Sequence, residues 1–332
     1  MAEQILETGK VPENVLKRSV MNLLHTKRDE VLLGSAVGED CAAVSLGDDE
    51  VFVLSTDPIT GTAKDIGQLS VIVTVNDLAS AGAEPIGILL TVLLPEGSTE
   101  RELAAIMQDV ESACAESNLQ VIGGHTETTP VVNQPLVSVT GVGKARRGRL
   151  ISTGGAKPGM SLIATKWIGI EGTSILAKEK KEALEERFSK QFVERAIEFD
   201  RYLCVLPEGR IAADHGAAAM HDVTEGGIYG ALWEMAEASK VGIEVDLKAI
   251  PVRQETIELC EFFDINPYRL ISSGCMLIAA HDGDGLIRKL KEADIPANII
   301  GRVTDNNDRV VISGDRRQYL TPPEADELHK AL

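Results

Sequence analysis

Apolar and polar positions in the first half of the chain follow two periods, one typical of strands and one of helices. Residues 98–117 place an apolar face at every third or fourth position, formed by Leu103, Ile106, Met107, Val110 and Cys114. Thr99 followed by Glu102 is a capping-box pattern, which predicts that this helix begins there. Apolar or β-branched runs predict strands at 50–57, 86–94, 119–124 and 134–143.

Residues 67–85 (GQLSVIVTVNDLASAGAEP) fit both periods. Their β-branched residues suit a strand, whereas their length and spacing suit a helix that ends before Gly82 and Pro85. We predict the helix, whose stripe consists of Leu69, Ile72, Val73, Asn76 and Ser80. Asp77 lies beside this stripe. Because buried amides and carboxylates need partners, Asn76 and Asp77 indicate either a satisfied structural network or a site.

The second half repeats the order of strand and helix after a basic stretch rich in glycine at 144–160. Helices are predicted at 173–200 and at 224–239, the second with Thr224, Glu225 and two glycines in its first turn. Strands are predicted at 161–165, 242–247, 270–280, 298–304 and 309–313. A chain of 332 residues favours two domains, which we place at 1–148 and 149–332. The repeated order predicts an α/β or α+β fold.

Composition narrows the class of protein. Aromatic residues make up only 4% of the chain, which favours α/β packing over a β-sandwich, and the net charge of −18 argues against a nucleic-acid partner. The scattered cysteines 41, 114, 204, 260 and 275 indicate neither a zinc knuckle nor a disulfide framework. Neither a signal peptide nor an apolar run of membrane-spanning length occurs, so we expect a cytoplasmic protein without a membrane partner.

Four acidic clusters follow small or turn-forming residues at the ends of predicted elements. They contain Glu39 with Asp40, Asp57, Asp77 and Glu127. One such carboxylate is usually just solvated, but four in one domain favour Mg²⁺, which takes oxygen ligands from separate elements together with phosphate oxygens. The P-loop, GxGxxG, HExxH and GxSxG patterns are missing. A nucleotide site would therefore be built from carboxylates and backbone.

Several segments together resemble the aminoimidazole ribonucleotide (AIR) synthetase superfamily, and within it the hydrogenase expression/formation proteins of the HypE type. They follow the same order from about residue 8 to about residue 320 and include VGEDCAAV, STDPITG, VNDLASAGAEPIGILLTVLLPEG, VIGGHTETTP, GIEGTSILA, MHDVTEGGIYGALWEMAEAS and LISSGCMLIA. The resemblance implies an N-terminal α/β domain that pairs with its twin in a homodimer to form a β-barrel, and a larger C-terminal α/β domain. It also implies ATP and Mg²⁺ between the domains and transfer of the γ-phosphate to the substrate.

The same resemblance assigns roles to residues. Metal binding is implied for Asp40, Asp57, Asp77 and Glu127, and catalytic roles for Asp57, Asp77, Asp222 and Glu225. Nucleotide binding is implied for Glu39, Asn76, Gly123, Gly124, His125 and Thr126, the last four in a loop at a strand end. Such a role is chemically reasonable because phosphoryl transfer depends chiefly on positioning and charge neutralisation, and because glycines let backbone NH groups approach phosphate.

Two departures from the family pattern matter. Several relatives carry an acid directly after the paired glycines, where this chain has His125. Either Glu127 takes the metal role by a small shift, or His125 hydrogen-bonds phosphate. The hydrogenase-maturation dehydratase uses a cysteine near its C-terminus as carrier, and this chain has no cysteine after Cys275. The cyanide-forming reaction is therefore not assigned.

The function we expect is ATP- and Mg²⁺-dependent transfer of the γ-phosphate to an oxygen of a small-molecule or amide substrate, by a homodimer. One alternative is a HypE-like maturation protein that acts with a partner protein supplying the thiol or amide. Another is an ATP-binding regulator without turnover, against which the acids at 40, 57 and 77 argue.

Overall fold

The computed structural model describes residues 9–10, 13–33, 43–59 and 65–332. The chain forms two compact units. The first comprises residues up to 78 together with 83–148, and the second comprises 79–82 and 149–332. Both units contain helices and strands, so the predicted α/β fold class is confirmed. ATP binding and dimerisation by the first domain stay predictions.

The first unit contains a five-stranded mixed sheet and a separate pair of short strands. Its strands are β1 (Gly9–Lys10), β2 (Val31–Leu33), β3 (Ala43–Val44), β4 (Glu50–Ile59), β5 (Glu84–Leu94), β6 (Gln120–Thr128) and β7 (Leu136–Arg146). Its helices are α1 (Glu13–Ser19), α2 (Ile66–Ser80) and α3 (Glu100–Ser117). The order of the five-stranded sheet is β1-β6-β5-β7-β4, with β5 and β6 parallel and the other pairs antiparallel, while β2 pairs with β3 in the second sheet.

Both helices predicted in the first unit are confirmed. The five apolar positions of α3 are buried, and Thr99 and Glu102 form the capping box. Residues 66–80 are helical, which settles the ambiguity in favour of α2. This helix is buried beyond the predicted stripe, since Val71 and Val75 are also fully buried. The β-branched content that suggested a strand reflects this burial on several sides.

The second unit has a sheet of order β14-β13-β10-β12-β8-β11-β9. Its strands are β8 (Ser161–Thr165), β9 (Ala219–Asp222), β10 (Gly242–Asp246), β11 (Met276–Ala280), β12 (Ala297–Thr304), β13 (Arg309–Ser313) and β14 (Arg316–Tyr319). Its helices are α4 (Ile170–Glu179), α5 (Lys181–Arg187), α6 (Lys190–Ile197), α7 (Leu206–Asp214), α8 (Gly227–Ser239), α9 (Gln254–Phe262), α10 (Gly283–Glu292) and α11 (Leu328–Ala331). In the described part of the chain, no helix combines the length and the apolar composition that crossing a bilayer requires.

Three predictions for the second unit are wrong in extent. The single helix at 173–200 is divided into α4, α5 and α6. Lys180 has non-helical backbone angles between α4 and α5, and Phe188 is extended between α5 and α6, where the Ser189 hydroxyl caps α6 by accepting from the Phe192 amide. The strand at 270–280 begins only at Met276, since the residues before it form a turn in which Gly274 has φ +101°. Helix α8 begins only at Gly227, so Thr224, Glu225 and Gly226 of the predicted first turn precede the helix.

Candidate functional site

Asp57 and Asp77 meet at one hydroxyl group. Ser55 on β4 donates a short hydrogen bond from Oγ to Oδ2 of Asp77 on α2, and the same Oγ lies 3.4 Å from Oδ2 of Asp57. Two acids that are 20 residues apart in the sequence are therefore neighbours in space. The structure thus brings together two of the predicted metal-binding and catalytic residues.

The packing of α2 on the sheet produces this meeting. Gly141 of β7 lies directly under the helix, because a Cβ atom there would be 2.4 Å from Cγ2 of Thr74 and 3.1 Å from Cδ1 of Leu78. Only a residue without a side chain allows the helix to lie this close. Register pairs Asp57 with Val139, which is fully buried, so Asp57 faces the helix-covered side of the sheet.

Asn76 is fully buried beside Asp77. Its side chain can therefore contact only groups inside the protein in this conformation. Its predicted place at the phosphate stays a prediction.

The segment GGHTET is strand, not the predicted loop. All of it lies within β6, which pairs in parallel with β5. Gly124 has φ +150°, and a Cβ atom there would lie 2.0 Å from the Leu90 carbonyl oxygen. The glycine therefore permits close approach of two strands, and the prediction of a loop is wrong because the glycines serve strand packing here.

His125 and Glu127 lie on the opposite face of the sheet from Asp57. They pair with Thr91 and Leu93, which alternate with the buried Leu90, Val92 and Leu94. Asp57 instead pairs with Val139, and Val139 pairs with the buried Leu90, so Asp57 lies on the same face of the sheet as Leu90. His125 Nε2 lies 3.1 Å from Glu127 Oε2, and the two side chains are 47% and 35% exposed.

Two strands, β7 and β5, also separate Asp57 on β4 from β6. Neighbouring strands are about 4.8 Å apart, so the separation is roughly 14 Å, whereas Mg²⁺ holds its ligands at about 2.1 Å. Asp57, Asp77 and Glu127 of one chain therefore cannot bind the same ion. A metal role for Glu127 stays a prediction, and it requires either a separate ion or a site that is shared with a second chain.

The described carboxylates at Asp57 and Asp77 suit Mg²⁺. Glu39 and Asp40 lie outside the described residues. Within the residues that are described, no group of three or more His, Cys, Asp and Glu side chains is arranged to hold a metal ion. Mg²⁺ is commonly bound through one or two carboxylates together with substrate phosphates. The oxygens of Asp57 and Asp77 therefore fit such an ion without a complete protein cage.

The predicted acids of the second unit differ in exposure. Asp222 is the last residue of β9, pairs with Met276 of β11, and is 5% exposed. Glu225 is exposed in the turn that precedes α8. Gly226 and Gly227 in this turn have φ +80° and +60°, values that favour glycine. The turn therefore presents Glu225 to solvent while Asp222 remains inside.

Glu171 is a buried acid that sequence reasoning missed. It is the second residue of α4 and only 4% exposed. Burial raises its pKa to about 7 against the opposing effect of hydrogen bonds from Ser273, and the negative charges of Asp326 and Glu225 raise it further. Oε2 is buried and has no hydrogen-bond partner, so the bonds from Ser273 fall on the other oxygen. The available signal was one acid within the otherwise uncharged segment GIEGTSILA.

Two family models match the chain in sequence. The N-terminal domain of AIR synthase related protein matches residues 38–145, and the C-terminal domain of AIR synthase related protein matches residues 157–313. A Methanocaldococcus jannaschii protein named for hydrogenase expression/formation is 29% identical over 313 residues, which span 92% of this chain and 91% of that protein. The carbamoyl dehydratase HypE of Cupriavidus necator is 30% identical over 266 residues, 76% of this chain and 73% of that protein.

A solved structure gives the same architecture. The hydrogenase maturation protein HypE in complex with ATP superposes with a TM-score of 0.81 at 19% identity, covering 98% of this chain and 98% of that one. At this identity the likeness shows the fold alone. The two matched domain models in consecutive order, and a relative at 30% identity over most of its length, show that this chain belongs to the AIR synthase related protein family.

Proposed function

We propose that this chain is an ATP-dependent enzyme that transfers the γ-phosphate, with Mg²⁺, to an oxygen of a small-molecule or amide substrate. The convergence of Asp57 and Asp77 on the Ser55 hydroxyl carries the proposal. Membership of the family supports ATP as the phosphate donor, since HypE has been crystallised with ATP and a relative is named a carbamoyl dehydratase.

In this proposal the carboxylates of Asp57 and Asp77 would hold Mg²⁺ at the phosphates of ATP. Two carboxylates at one hydroxyl repel each other, and a divalent cation between them removes this repulsion. When bound, Mg²⁺ supplies positive charge that neutralises the phosphoryl oxygens. The hydrogen bond from the Ser55 hydroxyl fixes the orientation of the Asp77 carboxylate.

The remaining residues are assigned by the family pattern. Glu39 and Asp40 add acids to the nucleotide side, and Asp222 and Glu225 of the second unit serve the substrate. Asn76, Gly123, Gly124, His125 and Thr126 are assigned to the phosphates.

The test is binding of ATP with and without Mg²⁺ by isothermal titration calorimetry. We expect Asp57→Asn and Asp77→Asn each to weaken Mg²⁺-dependent binding more than about tenfold, because each removes a charged ligand. Asp48→Asn is the matched control, since Asp48 is exposed in the turn before β4. Unchanged binding in both site variants would overturn the proposal. A screen of metabolites for ADP release then separates an enzyme from a regulator that only binds ATP.

Hydrogenase maturation with a partner protein is the second candidate. The names of both relatives favour it. ATP turnover with a small amide in the absence of any partner protein would exclude it. Turnover that requires a protein supplying the thiol or amide would support it.

A homodimer is part of the proposal. The face of the first sheet opposite to Asp57 exposes apolar side chains, with Phe52, Leu54 and Leu89 at 48%, 64% and 38% exposure. Phe52 and Leu54 lie on the edge strand β4. Exposed apolar residues clustered on one sheet face support association with a second copy.

A further inference from the structure

We propose that the second unit carries a docking surface for a short acidic segment of a partner protein. The surface, called here the arginine–aromatic belt, is formed by three arginines and three aromatic residues of α6, the start of α9 and the turns beside them. They are Trp167, Phe192, Arg195, Arg201, Tyr202 and Arg253. The inference does not depend on the proposed function, because it concerns binding of a protein segment and not phosphoryl transfer.

Stacked rings and guanidinium groups connect one half of the belt. The guanidinium carbon of Arg253 lies 4.7 Å from the centre of the Trp167 ring, and Tyr202 meets Trp167 edge to face with ring centres 5.3 Å apart. Arg201 lies over the Tyr202 ring at 4.8 Å. Because each guanidinium group rests on a ring, these long side chains are already ordered. A partner that binds them therefore loses less affinity to the ordering of side chains.

A buried carboxylate connects the other half. Oε1 of Glu255 accepts a hydrogen bond from Nε of Arg195 at 2.9 Å, and Oε2 of Glu255 lies 3.8 Å from Nε of Arg253. The guanidinium carbon of Arg195 also lies 5.6 Å from the centre of the Phe192 ring. Both contacts with Glu255 use Nε, and the Arg195 and Arg253 side chains are 48% and 39% exposed. Their Nη groups can therefore donate to carboxylates of another protein.

The residue types of the belt are those of a protein interface. Aromatic residues make up only 4% of the chain, yet Trp167, Phe192 and Tyr202 lie together here and are half-buried. Phe199 is buried beneath them, with its ring centre 6.4 Å from that of Tyr202 and 5.8 Å from the guanidinium carbon of Arg253. Tryptophan, tyrosine and arginine are enriched among the residues that contribute most to binding between proteins. The belt therefore favours a protein as its partner.

Charge indicates that the partner is acidic. The whole chain has a net charge of −18, whereas the belt contains three arginines beside two acids, Glu255 and Glu198, and the Glu255 side chain is only 8% exposed. Asp200, the remaining acid of the turn that carries Arg201, is paired with Lys178 at 2.8 Å. The belt attracts carboxylates, while the acidic remainder of the chain repels a long polyanion. These charges favour a short acidic segment over a nucleic acid.

The test is fluorescence anisotropy of a labelled peptide of ten glutamates with the full chain. We expect binding at about 0.05 M salt that weakens at about 0.2 M salt, because the charges involved are exposed. Arg195→Gln and Arg253→Gln should each weaken binding at least about fivefold, since each removes a charged donor. Arg316→Gln is the matched control, because Arg316 is an exposed arginine on the edge strand β14, and it should leave binding unchanged.

Four results would each overturn the inference. They are the absence of peptide binding, equal binding by wild type and both belt variants, equal weakening in Arg316→Gln, and tighter binding of a ten-nucleotide single-stranded RNA than of the peptide. Sedimentation of wild type and Arg253→Gln checks a further occupant. Self-association that is lost in Arg253→Gln would assign the belt to a second copy of this chain and would also refute the inference. Circular dichroism checks that the variants are folded.

Discussion

Replacing Glu171 by glutamine should stabilise the second unit, and the gain should grow with pH. Glutamine has nearly the same shape as protonated glutamic acid and can accept the bonds from Ser273, but it cannot ionise. The wild-type chain must either keep a proton on Glu171 or bury a charge that faces Asp326 and Glu225. The variant avoids both costs.

The magnitude follows from the displaced pKa. Burial first, and then the neighbouring acids, raise the pKa of Glu171 from 4.5 to about 7, so the folded chain holds a proton that the unfolded chain has lost between these values. The stability of the wild type therefore falls as pH rises through this window. Relative to pH 4, the loss is roughly 1 kcal/mol at pH 5, roughly 2 kcal/mol at pH 6 and roughly 3 kcal/mol at pH 8. Glu171→Gln should not show this loss.

Urea unfolding between pH 4 and pH 8 measures the effect. Both tryptophans, Trp167 and Trp233, lie in the second unit, so their fluorescence follows the unit that contains Glu171 even if the two units unfold separately. Glu179→Gln is the control for a loss of charge on α4. A stability difference between Glu171→Gln and wild type that does not change with pH would refute the reasoning, as would a variant less stable than wild type at pH 8.

Two further predictions concern the first unit. Gly141→Ala places a methyl group 2.4 Å from Thr74 and should cost about 1–3 kcal/mol of stability while weakening MgATP binding, because α2 carries Asp77. Gly148→Ala has nothing within 4 Å and is the matched control; equal thermal midpoints of the two variants would contradict this account. Leu54→Lys should convert a dimer to a monomer in sedimentation experiments because it places a charge on the apolar sheet face, and an unchanged mass would exclude this face as the interface.

The sequence predicted a helix or strand correctly where one local pattern of residues was enough to determine it. Thr99 and Glu102 placed the start of α3, and its apolar spacing identified the buried face. Helix α2 was harder because its burial extends around the helix, which weakens the periodic signal. The breaks at Lys180 and Phe188 were missed because the charged residues around them favour helix, and only tertiary packing selects three short helices over one long helix.

The candidate site was predictable in its residue types but not in its arrangement. The sequence identified Asp57 and Asp77, but only the packing of α2 over Gly141 shows that they meet at Ser55. Glu171 was missed because burial, not a motif, makes it unusual. A single acid among apolar residues gives no information about its hydrogen bonds until the turns around it are placed.

A variant of Glu127 tests whether the proposed Mg²⁺ site is built from one chain or from two. In one chain it lies on the sheet face opposite to Asp57 and roughly 14 Å across the sheet, so it cannot share an ion with Asp57 and Asp77. Glu127→Gln should therefore leave the Mg²⁺ dependence of ATP binding within about twofold of wild type in a monomeric background such as Leu54→Lys, while Asp77→Asn removes that dependence. A tenfold loss in that monomer would contradict the geometry of the sheet. The same loss confined to the dimer would instead place Glu127 in a site completed by the second chain, since only another copy could bring its carboxylate to the helix-covered face.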